Sequence, residues 1–272
     1  RAGPVPVGCT LIASNVLPPS DLIVLATPAQ TTRAVLGRFV DQIPPNAPLM
    51  ITAKGIEQDS LYLQSSVIDD VLPAHPVAVL TGPSFAKDVQ AGQPTALTLA
   101  MPDARRGGLL RDALSGNGIR LYSTTDMVGA QIGGALKNVI AIACGIVAGR
   151  GLGTSAQAAI MTRGFAELSR LGLAMGAELE TMTGLSGLGD LTLTCHSPTS
   201  RNFSYGFALG HTGQPPHQGT FEGAKTAAAA VALGARHTVD MPISTVIRNV
   251  IAEQCSIDNA IQSLLNRPLK PE

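Results

Sequence analysis

Tryptophan is absent from these 272 residues, aromatic side chains make up 3% and charged ones 14%, and the formal net charge is zero. Without a basic excess there is nothing to neutralise a phosphate backbone, so nucleic acid is excluded as the main partner. Four cysteines, Cys9, Cys144, Cys195 and Cys255, are widely separated and form no CxxC. Neither a disulfide framework nor a zinc site is expected, no metal is assigned, and a reducing cytoplasm is the default compartment. His75, His211, His217 and His237 sit beside turn residues without metal spacing. The longest apolar run, Val139 to Gly149, is too short to span a bilayer and is closed by Arg150. No basic start leading into an apolar stretch marks a secretory signal. A glycine fingerprint of the GxGxxG type is also missing: "GRGLG" (149–153) and "GLSGLGDL" (184–191) have the wrong spacing and follow helical segments. Because the chain starts at Arg1 without methionine, the expectation is that an N-terminal piece carrying such a turn is missing.

What is present is a 45% apolar chain, long enough for one large domain or two ordinary ones. Short aliphatic runs fill the first half: "DLIVLATP" (21–28), "APLMITAKG" (47–55), "PVAVLTGPS" (76–84), "TALTLAM" (95–101) and "IRLYST" (119–124). Segments of helical spacing, such as 29–43, separate them. Strands alternating with helices predict an α/β, Rossmann-like, doubly wound parallel sheet over residues 1–125, in which ligands gather beyond the carboxyl ends of the strands. Lys54, Gly82 and Ser84 fall at such ends. From residue 126 to 272 only helices are expected, through 126–149, 154–175, 200–210, 222–236, 242–254 and 258–266.

Two stretches carry chemistry. In "GGALKNVIAIACGIVAGRGLG" (133–153) one ammonium, Lys137, is set in an aliphatic and small-residue run. Either it snorkels to solvent from a helix end, or it is an amine in a cleft. In "GLSGLGDLTLTCHSPTSRN" (184–202) the glycines permit close backbone approach, Asp190 sits in the middle, and Ser200 precedes Arg201 and Asn202 at the start of a helix. A cap hydroxyl, a forked guanidinium, an amide and free backbone N–H groups suit a phosphate; an ordinary capped helix with a surface arginine is the plain alternative. Cys195-His196 is read as structural filler, since adjacent side chains diverge and no third group orients them.

The blocks "AKGIE" (53–57), "GPSFAKDV" (82–89), "GGALKNVIAIACGI" (133–146), "GLGDL" (187–191), "SRN" (200–202) and "FEG" (221–223) occur in the order seen in bacterial-type NAD(P)-dependent glycerol-3-phosphate dehydrogenase. The chain resembles that family from about Asp21 to its end. The resemblance implies reversible hydride transfer between sn-glycerol 3-phosphate and dihydroxyacetone phosphate, with NAD or NADP, in supply of glycerophospholipid synthesis. It implies Lys137 as general base and acid, depressed from the ordinary lysine value by burial and by a nearby Arg201. By the same resemblance Lys54 contacts substrate and cofactor, while Gly82, Ser84, Asp190, Ser200, Arg201 and Asn202 contact substrate, with Asn138 and Thr194 lining the pocket. Ala86, Arg201, Glu222 and the backbone near Thr220, where the family more often has valine, fall on the cofactor side. Ala130-Gln131 replaces the usual acidic residue, Asp88 stands for Glu, and the stretch from Asn202 to Glu222 is shorter than usual. The expected partner is a small phosphorylated substrate, with a homodimer left open. Two other readings remain at this point: a related β-hydroxyacid dehydrogenase or ketoacid reductase, and a non-catalytic fragment.

Overall fold

The computed structural model describes Cys9, Thr10, residues 15–216 and residues 218–265, so His217 and the expected helix end at Asn266 lie outside the described residues. Nine elements build the first half: β1 (Ile23–Leu25), α1 (Thr32–Phe39), β2 (Leu49–Ile51), α2 (Gln64–Val71), β3 (Val77–Thr81), α3 (Ala86–Gln90), β4 (Thr95–Ala100), α4 (Ala104–Leu114) and β5 (Ile119–Thr124). The described remainder is helical: α5 (Met127–Gly149), α6 (Thr154–Ala174), α7 (Leu179–Thr183), α8 (Asp190–His196), α9 (Arg201–Thr212), α10 (Glu222–Arg236), α11 (Pro242–Ile251) and α12 (Ile257–Leu265).

The strands read as nearly continuous apolar runs because the sheet is covered on both faces. Leu49, Ile51 and Val79 pack under Leu36 of α1 and Ile68 of α2. The alternating positions Met50, Ala78 and Leu99 face Leu110 and Leu114 of α4. The strand order is β1-β2-β3-β4-β5, and one pairing departs from the all-parallel expectation. β3 and β4 are antiparallel, with Thr81 opposite Thr98, whereas β1–β2, β2–β3 and β4–β5 are parallel. The connection between β3 and β4, residues 82–94, holds only the five-residue α3 in place of the crossover helix that usually returns a chain for parallel pairing.

Helix α5 is the axis of the second half. Asp126 caps it, accepting from the Gly129 amide at 2.7 Å, and the same carboxylate receives the Glu178 amide at 2.8 Å. At 23 residues it is long and apolar enough to cross a membrane, which the shorter run Val139–Gly149 did not suggest, yet 89% of its most apolar window is buried inside the protein. A helix that is apolar all round is a core helix when its neighbours cover every face.

Its packing against α9 positions the site. A Cβ on Gly145 would lie 2.1 Å from the Phe203 carbonyl oxygen, and one on Gly206 would lie 2.0 Å from that of Ile142. Gly149 and Gly210 make the same approach one turn on, 2.3 Å from Phe207 O and 2.4 Å from Ile146 O. The two helices therefore run parallel with backbones touching. One turn back along the same register Asn202 faces Asn138, and both border Gly223 at the start of α10. The residues between Gly184 and Ser200 are not a string of turns: α7 leads into a π-type turn (Leu185–Gly189), and α8 then begins at Asp190. Gly187 makes that wide turn passable, since a Cβ there would sit 1.9 Å from the Met182 carbonyl oxygen.

Candidate active site

A cavity of about 670 Å³ lies between the ends of β1, β2 and β3 and the starts of α9 and α10. Ala26–Ala29, Thr52–Lys54 and Ser84–Lys87 form its sheet side; Lys137, Asn138, Thr194, Thr199–Asn202, Thr220 and Glu222 form its helical side. The cavity thus brings together Lys54, Ser84, Ala86, Lys137, Asn138, Thr194, Ser200, Arg201, Asn202, Thr220 and Glu222 from the sequence-based set. Gly82 and Asp190 lie beneath it instead. Gly82 has φ of +131° and turns its carbonyl oxygen to Lys54 Nζ at 3.4 Å. Asp190 is fully buried.

Asp190 is the anchor of the floor. Its Oδ1 accepts from Lys137 Nζ at 2.5 Å and its Oδ2 from Lys54 Nζ at 2.7 Å, so one carboxylate ties the sheet side to the helical side through two ammonium groups. Thr194 Oγ1 accepts from Lys137 at 2.9 Å while donating to the Asp190 carbonyl oxygen at 2.6 Å, which fixes it as an acceptor for the amine. Two of the three Lys137 donor positions are thereby held, and the third is left for the cavity it lines.

Lys137 is only 7% exposed and its pKa is lowered to about 8. Burial is the largest cause and the Lys54 charge the next; Asp190 opposes both. The cationic neighbour expected from the sequence was Arg201, but Lys54 holds that place, brought there by its bond to the same Asp190 carboxylate. Glu222 is also displaced upward by burial, against the pull of Lys225 and Arg201.

At the outer end, Ser200 caps α9 by accepting from the Phe203 amide at 3.2 Å, as its place before Arg201 and Asn202 suggested. Asn202 Oδ1 accepts from the Gly223 amide at 3.0 Å, pinning the start of α10. The Arg201 guanidinium and the Asn202 side-chain amide nitrogen have no hydrogen-bonded partner among the described residues, and both line the cavity. Sequence reasoning missed two neighbours. Thr27 Oγ1 is buried without a hydrogen-bond partner, as are Glu222 Oε2 and Thr226 Oγ1. Lys87 bonds across the cleft to Thr199 Oγ1 at 3.0 Å. A lone threonine after a strand and a lysine in a five-residue helix give no signal of their own.

The chain is similar to known proteins over most of its length. The family model described as NAD-dependent glycerol-3-phosphate dehydrogenase C-terminus matches residues 126–262, and its N-terminus counterpart matches residues 8–106. The chain belongs to the NAD-dependent glycerol-3-phosphate dehydrogenase family. The glycerol-3-phosphate dehydrogenase [NAD(P)+] of Brucella ovis is 48% identical over 260 residues, covering 96% of this chain and 80% of the relative. The crystal structure of glycerol-3-phosphate dehydrogenase from Coxiella burnetii superposes with a TM-score of 0.83 at 36% identity, covering 90% of this chain and 76% of that one. D-mandelate dehydrogenase with NADH reaches a TM-score of 0.59 at 15% identity, over 86% of this chain and 78% of its own, and shares the fold alone.

Proposed function

We propose that this dehydrogenase interconverts sn-glycerol 3-phosphate and dihydroxyacetone phosphate with NAD or NADP, Lys137 being the group that moves the proton. The observation that carries the reading is a dehydrated amine, held at two positions and lining a cavity whose far end offers unpaired phosphate donors. Oxidising a secondary alcohol removes the hydroxyl proton as hydride leaves the same carbon. Neutral Lys137 takes that proton; in reverse, charged Lys137 gives it to the carbonyl oxygen. A pKa of about 8 lets one amine serve both directions near neutrality. Asp190 stabilises the charge that appears on Lys137 and holds its nitrogen in place, while the Lys54 charge disfavours it and keeps the pKa low.

At the other end Arg201, Asn202, Ser84 and the free N–H groups at the start of α9 hold the phosphate. That grip sets the distance from phosphorus to carbinol carbon and selects a phosphorylated three-carbon alcohol over a β-hydroxy acid. NAD or NADP, when bound, supplies the hydride chemistry. The residues fit its reactive end: Thr27 and Glu222 line the cavity and each carries a buried oxygen without a hydrogen-bond partner, the kind of polar group that suits a carboxamide that both donates and accepts. Ala86, Thr220 and Lys54 border the same space. The sequence holds no GxGxxG, and no residue is assigned to the pyrophosphate. In this reading residues 1–125 serve the cofactor and residues 126–272 the substrate, and the product feeds glycerophospholipid synthesis in the cytoplasm. A homodimer, tested by light scattering, is the assembly we carry forward.

The test is turnover with glycerol 3-phosphate, glycerol and a β-hydroxy acid, followed by nicotinamide absorbance. Turnover confined to the phosphorylated alcohol supports the reading. Equal or better use of the hydroxy acid overturns it.

A further inference from the structure

Among the described residues, two lysines lining the sheet side of the cavity, Lys54 and Lys87, bond across to the helices. The inner link, Lys54–Asp190, is an ion pair on the floor. The outer one joins Lys87 Nζ on α3 to the hydroxyl of Thr199, the residue before the α9 cap Ser200. This outer link is exposed, and its acceptor is neutral. Lys87 has no carboxylate partner among the described residues, although Asp88 adjoins it in sequence.

Four cations line the cavity against one carboxylate, Glu222. Lys54 and Lys137 share the charge of Asp190. Arg201 and Lys87 are left without a hydrogen-bonded acid, and both border the start of α9. We infer that Lys87 is a substrate-positioning residue, its ammonium exchanging the Thr199 hydroxyl for the substrate phosphate. The inference rests on the phosphorylated-substrate reading above and adds a residue from the sheet side to that grip. The exposed bond to the hydroxyl has charge on the donor alone, whereas a bond from the ammonium to a phosphate oxygen joins opposite charges and is the stronger of the two. The flexible four-carbon lysine stem permits the exchange without backbone movement. An anion at the start of α9 would then meet two mobile cations from opposite walls, Arg201 from the helices and Lys87 from the sheet.

The experiment is calorimetric titration of glycerol 3-phosphate, glycerol and NADH into the wild-type chain, Lys87→Met and Lys87→Arg, with steady-state kinetics on the same proteins. Lys87→Met is expected to weaken glycerol 3-phosphate binding about tenfold, to raise KM with kcat unchanged, and to leave glycerol and NADH binding as they were. Lys87→Arg restores most of the loss. Unchanged glycerol 3-phosphate binding in Lys87→Met overturns the inference, as does an equal loss for NADH, which would place the lysine at the cofactor phosphates. A wild-type chain that prefers phosphate no more than glycerol refutes the reading beneath it instead, so the two failures are distinguishable.

Discussion

Replacing Asp190 by Asn isolates the charge that holds the floor of the site. The change keeps the shape of a fully buried side chain whose two oxygens sit 2.5 and 2.7 Å from two ammonium groups. An amide oxygen still accepts from one lysine, but its NH₂ then faces the other. At an effective dielectric of about 20, unit charges about 4 Å apart interact by ~4 kcal/mol, so Asp190 offsets much of what burial and Lys54 cost the Lys137 ammonium. Breaking a buried ion pair costs about 3–5 kcal/mol. Asp190 raises the Lys137 pKa against burial and Lys54, so its loss lowers a value already at about 8. Each 1.4 kcal/mol withdrawn moves the midpoint down by about one unit.

The assay is a pH titration of the Lys137 side chain by NMR in lysine-labelled protein, assigned with Lys137→Met. In Asp190→Asn the midpoint should fall by about one unit or more, and chemical denaturation at neutral pH should show a loss of about 3 kcal/mol. A midpoint that stays put or rises would refute the electrostatic account of the floor. A large stability loss without any movement of the midpoint would reduce Asp190 to a packing role.

Other outcomes follow from different parts of the molecule. Gly206→Ala drives a methyl group against the Ile142 carbonyl 2.0 Å away; it should destabilise by roughly 1–3 kcal/mol or more. It should also weaken glycerol 3-phosphate binding by shifting α9, and near-wild-type melting and binding would disprove the register argument. Arg201→Lys keeps the charge and loses the fork, so KM for glycerol 3-phosphate should rise about tenfold or more, with a smaller rise refuting bidentate contact. Glu167 of α6 is buried and caps α11, accepting from the Ile243 amide at 2.7 Å, the Ser244 amide at 3.0 Å and the Ser244 hydroxyl at 2.5 Å. Burial outweighs these bonds and raises its pKa from 4.5. The folded state therefore binds the proton more tightly, and stability falls as pH rises from about 4.5 through the raised folded value. Denaturation midpoints across that window should show this fall in the wild type and a flatter profile in Glu167→Gln; identical profiles would remove Glu167 from the pH response.

The strands were legible because burial on both faces leaves unbroken aliphatic runs, and the helices because their apolar spacing persists for two or more turns. The antiparallel β3–β4 pairing was not, since direction depends on whether a connector can return along the strand, and α3 is too short to show helical spacing. Residues 184–196 misled for a related reason. Glycines that look like turn formers there let the chain approach Met182 and α5 closely inside helical structure. The identities of Lys137, Asp190 and the Ser200–Asn202 trio could be read from the ordered blocks. The partner of Lys137 could not: that Lys54 and not Arg201 lies beside it is decided by the Asp190 bridge across 136 residues of chain separation. Thr27 and Lys87 belong to the cavity only through the fold.

One dehydrated amine, Lys137, with its pKa lowered to about 8, governs proton transfer in this reading. The measurement that tests it most directly is kcat/KM for glycerol 3-phosphate oxidation against pH, set beside dihydroxyacetone phosphate reduction. Oxidation should rise as pH passes about 8 and then level, while reduction falls through the same midpoint. Profiles flat across that region, or turning only near the ordinary lysine value of about 10.4, would contradict it.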